Sequence, residues 1–371
     1  MPLVTLTPSG LYCEAGDFHI DPWRPVTRAV ITHAHGDHAS RGHERYLVSR
    51  AGEHVTRRRL PEASLQTLEY GERIDVNGVR VSLHPAGHVL GSAQVRLEHG
   101  GEVWVVSGDY KTQHDPTCAP FEPIRCDTFV TESTFGLPIY RWREPHDLFG
   151  EVDAWWRANQ AAGRASVVYA YALGKAQRLL KSIDADIGPI YTHGSVEGLN
   201  EAYRASGVEL PPTQRVSELP TRGFDFSRAL IVAPPSSQGT TWLRRFGDYA
   251  DAFASGWMQI RGVRRRRAVD RGFVLSDHAD WPGLLSAISA TGAGRVYVTH
   301  GYSEPLVRWL CERELDAQTL KTEFTGEEGS AEDASAETTD EQQGPSLRNR
   351  AIAVSPGPAQ RDPGEVIRSP L

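Results

Sequence analysis

Residues 29–40, AVITHAHGDHAS, place three histidines and an aspartate within six positions, directly after the apolar run Ala29-Val30-Ile31. A short β-branched run of this kind reads as a buried strand. Its end is then packed with imidazole and carboxylate, the ligand types of first-row metal ions. A polar surface turn needs no such density. Four ligands this close crowd a single ion, so His33, His35, Asp37 and His38 point to two. The remaining ligands must come from other parts of the chain. His88 in HPAGHVLGSA, Asp109 in VVSGDYK and His300 in VTHG are the candidates, with His84 competing with His88.

The same arrangement recurs along the chain. Apolar runs stop at chemically capable residues in VWVV-SGD, FV-TES, FVL-SDHAD and VYV-THG. In α/β folds ligands gather beyond the carboxyl ends of strands. Taken singly, Asp109 reads as a turn aspartate, and His278 and His300 as hydrogen-bonded core histidines. Five such strand ends together read as one site. Strands are expected at Val103–Val106, Thr128–Val130, Val167–Tyr169, Ile190–Thr192, Leu230–Val232, Phe273–Leu275 and Val296–Val298. Helices are expected at Leu148–Ala161, Lys175–Ile183, Glu197–Arg204, Pro282–Ala290 and Pro305–Glu314. The alternation predicts α/β layers.

Charge is unevenly placed. The net value of −7 owes much to seven acidic residues between Glu327 and Glu341, in a stretch without large apolar side chains. Such a segment cannot offset its ordering entropy and is expected to be disordered. The rest is near neutral, so net acidity does not argue against a nucleic-acid partner. The four cysteines form no CxxC pair and read as reduced thiols. No apolar run approaches the ~18 residues of a membrane span, and no signal-peptide pattern opens the chain. The expected location is the cytoplasm, without a membrane partner.

With these motifs in order, the chain resembles the metallo-β-lactamase superfamily, and within it the β-CASP nucleases. HAHGDH matches the HxHxDH motif, AGHVLGSA the third motif and SGDYK the fourth. TESTFG (131–136), SDHAD (276–280) and VTHG (298–301) match motifs A, B and C. YALGKAQRLL (171–180) matches a recurrent segment of the cap. The resemblance covers roughly residues 1–325. It implies an α/β metallo-β-lactamase αββα sandwich with an inserted β-CASP cap. The lactamase-like domain would occupy 1–140 and 268–325, the cap 141–267, and the acidic tail 326–371.

The resemblance further implies that His33, His35 and His88 hold one metal and that Asp37, His38 and His300 hold the second, with Asp109 bridging. It decides for His88 over His84. Glu132 and His278 become the motif A and motif B residues, and Gly36 is expected to turn the backbone between the two half-sites. The implied activity is two-metal phosphodiester hydrolysis with a metal-bridging hydroxide, using Zn²⁺ first and Mn²⁺ second. His278, oriented by Glu132, would protonate the leaving oxygen, and Asp37 would orient the nucleophile.

The overall likeness is to bacterial ligase-associated DNA exonucleases, with single-stranded or overhang DNA as substrate and a DNA ligase and helicase as repair partners. Glu132 and His300 instead match the RNA-processing members, since DNA-repair members usually carry Asp in motif A and an aliphatic residue in motif C. An RNA endonuclease or 5′-exoribonuclease is therefore the second reading. A small-molecule metallo-hydrolase is a distant third, because such enzymes lack the cap and motifs A to C. The basic run Arg264, Arg265, Arg266 and Arg267 is read with equal weight as a phosphate contact and as a solvated face.

Overall fold

The computed structural model describes residues 2–220 and 223–323; the expected tail at 326–371 lies outside them. The architecture is mixed α/β, with three sheets. The first joins six strands in sequence order, from Thr5–Thr7 to Leu65–Leu68. Within it Arg28–Val30 pairs in parallel with Phe18–Ile20 and Arg45–Ser49. The second has seven strands in the order Asp316–Thr319, Arg295–Gly301, Thr128–Ser133, Glu102–Val106, Ala93–His99, Val79–Pro85 and Arg73–Val76.

Side-chain alternation explains how these two sheets stack. Trp104 and Val106 face a core shared with Leu11, Ile20, Val30 and Leu47 of the first sheet. Val105, between them, faces the other way, toward Leu284 and Ile288 of the Trp281–Thr291 helix and Leu306 and Leu310 of the Ser303–Cys311 helix. Each sheet thus presents an apolar face to the other. The second sheet covers its outer face with helices.

The third sheet is parallel throughout, in the order Gln214–Arg215, Ile190–Thr192, Leu230–Ala233, Ala165–Tyr169, Tyr249–Ala254 and Arg271–Phe273. Both of its faces are covered, which is why its strands read as unbroken apolar runs. Val168, Val232 and Ala252 pack with Val152, Trp156 and Leu179. Val167, Ile231 and Phe253 pack with Leu243 and Phe246. Trp156 is fully buried there and Trp155 packs against Phe273. Among the described residues no helix is long and apolar enough to cross a membrane.

Two expectations change. The final strand of the third sheet is Arg271–Phe273 rather than Phe273–Leu275, because the chain must leave the sheet there to carry Ser276–His278 to the site. Gly36 is not among the positive-φ residues. In the separate turn before Asp109, Gly108 has a φ of +57°, and a Cβ there would lie 2.5 Å from Thr32 Oγ1.

Candidate metal centre

The strands Glu102–Val106, Thr128–Ser133 and Arg295–Gly301 run parallel, so their carboxyl ends lie along one edge. Asp109, Glu132 and His300 sit at these ends. The loop after Arg28–Val30 adds residues 33–38, and the turn between Val79–Pro85 and Ala93–His99 adds His88.

Their ligand atoms converge. His33 Nε2 lies 3.0 Å from His35 Nδ1, and His88 Nε2 lies 3.1 Å from that same Nδ1. Asp109 Oδ2 is 3.6 Å from His33 Nε2 and 3.8 Å from His88 Nε2. Around the other side, Asp109 Oδ2 is 3.5 Å from His38 Nε2, and Asp109 Oδ1 is 3.1 Å from His300 Nε2. Asp37 Oδ2 lies 3.8 Å from His38 Nε2. Ligand atoms about a tetrahedral ion at ~2.0–2.1 Å are spaced ~3.4 Å apart. The observed separations match that spacing. One carboxylate, Asp109, touches both sets.

Partners outside the cluster fix the rings. His88 Nδ1–H donates to the Asp277 carbonyl at 2.8 Å, and His35 Nε2–H to the Leu173 carbonyl at 3.2 Å. Each hydrogen bond leaves the other ring nitrogen facing inward as an acceptor, the arrangement metal-ligating histidines adopt. Asp21 does the same for His38, with Oδ2 2.7 Å from Nδ1. Asp21 also accepts from the Thr32 N–H at 2.7 Å. Sequence reading did not single out Asp21, Asp277 or Leu173. Asp21 has a non-glycine φ of +44° directly after a strand, which the sequence does not announce.

The electrostatics favour cations. Without an ion, burial holds His33 and His88 well below the usual histidine range and lowers His35. Burial also opposes charge on His38, but Asp109, Asp37 and Asp21 outweigh it and raise its pKa well above that range. Burial likewise works against ionising Asp109. His38 and His300 outweigh it and hold the carboxyl well below its usual value. The neutral imidazoles of His33, His35 and His88 beside the ionised Asp109 carboxylate are donors of the kind a divalent ion takes.

Glu132 and His278 form a second constellation. His278 Nδ1 lies 3.0 and 2.9 Å from the two Glu132 oxygens. Glu132 also accepts from the backbone N–H groups of Tyr110 at 2.8 Å and Thr134 at 3.3 Å. It therefore both binds backbone amides and holds the histidine. Burial disfavours charge on His278, but Glu132 and Asp109 raise its pKa. Asp109, Glu132 and His278 also have ligand atoms within 4.8 Å of one another.

A buried ionic network joins this region to the third sheet. Lys175 and Arg178 belong to the helix Lys175–Ser182. Lys175 Nζ is 3.1 Å from Asp277 Oδ2, and Arg178 donates to the Ser276 carbonyl at 2.6 Å. Lys111 Nζ and Asp115 pair at 3.1 Å beside Arg178, and burial lowers the Lys111 pKa to about 8.

Other residues stay apart from the cluster. His84 lies 3.0 Å from Ser82 Oγ, and His193 caps the helix Gly194–Ala205. The arginine run divides. Arg264–Arg266 are exposed on the short helix Arg261–Arg266, whereas Arg267 is half-buried with its guanidinium 4.5 Å from the Phe253 ring.

No family model matches the chain. A protein of Opitutus terrae named Probable DNA ligase is 30% identical over 314 residues, which is 84% of this chain and 30% of that protein. Cleavage and polyadenylation specificity factor 73 of Drosophila melanogaster is 35% identical over 123 residues, 32% of this chain and 18% of that protein. Endoribonuclease YSH1 of Yarrowia lipolytica is 31% identical over 124 residues, 32% of this chain and 14% of that protein. The matches thus span less than a third of each of these relatives. Among solved structures, a protein of unknown function from Enterococcus faecalis V583 shares the fold with a TM-score of 0.54. It is 11% identical, with 80% of this chain and 79% of that one covered.

Proposed function

The chain belongs to the β-CASP nucleases of the metallo-β-lactamase superfamily, and from that premise we propose that it is a two-metal phosphodiesterase acting on nucleic acid, a DNA exonuclease of repair. The observation that carries this reading is the Asp109 carboxylate, within 3.1–3.8 Å of the inward nitrogens of His33, His88, His38 and His300. In this reading the first two sheets with their helices are the αββα sandwich. The third sheet is the cap, ending after Phe273.

His33, His35 and His88 would hold one divalent ion, and Asp37, His38 and His300 the other, with Asp109 shared. Zn²⁺ fits the nitrogen and oxygen donors, and Mn²⁺ is the second choice. When bound, such ions supply Lewis acidity toward phosphoryl oxygens and lower the pKa of water. The chain's own residues do the rest. Glu132, pinned by two backbone amides, orients His278 and favours its protonated form. His278 then gives a proton to the leaving oxygen. Asp37, half-buried at the mouth of the cluster, orients the attacking water.

The Opitutus relative, matched by most of this chain, supports DNA as substrate and a DNA ligase as partner. Glu132, His300 and the likeness to Endoribonuclease YSH1 support the second reading, RNA processing. The test compares matched 5′- and 3′-labelled DNA and RNA strands with Zn²⁺ and with Mn²⁺. Stepwise loss of DNA ends is the expected result. Internal cleavage of RNA with DNA untouched would replace the first reading by the second.

A further inference from the structure

Beside the motif B loop lies a cluster of rings that the proposed chemistry does not use. Phe135 is fully buried, and its ring centroid is 4.8 Å from each of Tyr140, Trp142 and Trp257 and 5.9 Å from His278. Tyr302 completes the group, 6.2 Å from Trp257 and 5.9 Å from Tyr140. Phe135 and Tyr140 form its floor. Trp142, Trp257 and Tyr302 keep part of their surface in solvent, and Ile139 beside them is 55% exposed.

The half-exposed rings are tied to the reacting groups. Trp142 Nε1–H donates to the His278 carbonyl at 2.8 Å. Tyr302 follows His300 by two residues, and its N–H donates to the Ser133 carbonyl at 2.8 Å, next to Glu132. The shelf therefore begins one side chain away from the proposed proton donor. On its far side a cavity of about 500 Å³ is lined by three guanidiniums, Arg143, Arg264 and Arg271, against two carboxylates, Glu151 and Asp270, with Gln259. Glu151 engages Arg143 at 2.6 Å and Arg271 at 3.4 Å, while Arg264 has no carboxylate partner among the described residues. A phosphate backbone suits such a cavity.

We propose that Trp142, Trp257 and Tyr302 form a stacking site for an unpaired base adjoining the phosphate at the metal centre, with the Arg143–Arg264–Arg271 cavity receiving the phosphates beyond it. The inference rests on the nuclease reading and narrows it to strands whose terminal bases are free. A base face stacks on indole or phenol whatever its sequence, so the site selects for unpairedness rather than for one base.

The test uses the full chain and two fluorescent octamers with cleavage-resistant phosphorothioate backbones, one of thymidines and one abasic. Binding is followed by anisotropy. The thymidine strand is expected to bind at least about tenfold tighter, the effect of ~1.4 kcal/mol within the range of base–aromatic stacking. Trp257→Ala and Tyr302→Ala should each shrink that ratio and leave abasic binding alone, and Trp257→Phe should restore most of it. Equal affinities in the unaltered protein overturn the stacking site whether or not the variants fold, as does a ratio that survives both alanine variants. Discrimination without cleavage of ordinary DNA or RNA keeps the stacking site and removes the nuclease reading. Cleavage without discrimination does the reverse, and no binding of either octamer removes both.

Discussion

Replacing Lys175 by Met tests the joint between the third sheet and the metal centre. Lys175 and Asp277 are both 0% exposed, and their charged atoms lie 3.1 Å apart. The second oxygen of Asp277 is buried without a hydrogen-bond partner among the described residues. In Lys175→Met the carboxylate stays buried without its nearest counter-charge. At an effective dielectric of ~20, two charges at this distance attract by about 5 kcal/mol. Removing one partner of a buried pair costs about 3–5 kcal/mol. Urea unfolding should therefore show a loss of about 3–5 kcal/mol for Lys175→Met. The double variant Lys175→Met, Asp277→Asn should lose much less than the sum of the single changes, because a neutral amide needs no counter-charge. The effect should also reach the metal centre, since the Asp277 carbonyl holds His88. Metal affinity measured against a competing chelator should fall about tenfold or more. A cost below about 1 kcal/mol, or strict additivity in the double variant, would refute the reasoning.

Other outcomes follow from the same geometry. Asp109→Ala should abolish hydrolysis and lower metal content by elemental analysis, because two cations lose the carboxylate between them; full activity with two ions bound would remove Asp109 from the site. Replacing Arg264, Arg265 and Arg266 together with Ser should raise KM more than it lowers kcat and flatten the salt dependence of binding. An unchanged KM and salt response would return these arginines to the solvated surface. His43 is buried and its Nδ1 accepts from the Val26 N–H at 3.3 Å; burial holds its pKa down to about 4 from 6.5. The unfolded chain takes up this proton first as pH falls. Stability is therefore complete above pH 6.5 and is lost toward pH 4, by up to about 3 kcal/mol. The His43→Leu variant should lack this part of the acid sensitivity, and identical stability–pH curves would exclude it.

Much of the candidate site was legible because its groups stand where apolar runs end. His33 to His38 crowd one turn, and Asp109, Glu132, His278 and His300 each follow a short β-rich run. What stayed hidden depends on neighbours distant in sequence. Nothing near Asp277 indicates that its carbonyl will hold His88, 189 residues away. Asp21 follows the three-residue strand Phe18–Ile20, too short to show a period. Of the first sheet only the strand at residues 29–31 was legible, since three of its strands are only three residues long. The contact that requires a glycine at position 108 is with Thr32, 76 residues earlier in the chain, and is equally invisible in the local sequence. A run of like residues cannot announce its own division, so Arg267 looked equivalent to Arg264 until the helix ended and turned it onto Phe253.

The parallel pairing of Thr128–Ser133 with Arg295–Gly301 has a consequence for synthesis. Thr299 donates its hydroxyl to the Thr131 carbonyl at 3.1 Å across 168 residues of chain. A ribosome adding roughly 5–20 residues per second takes roughly ten to thirty seconds to make that stretch. Through that interval a growing chain already carries His33, His35, Asp37, His38, His88 and Asp109, but not His300, and it gains His278 only near the end. The strand that seats His300 beside Asp109 is made after the whole third sheet. An emerging chain thus lacks one of the proposed metal ligands until every strand of the third sheet has been made.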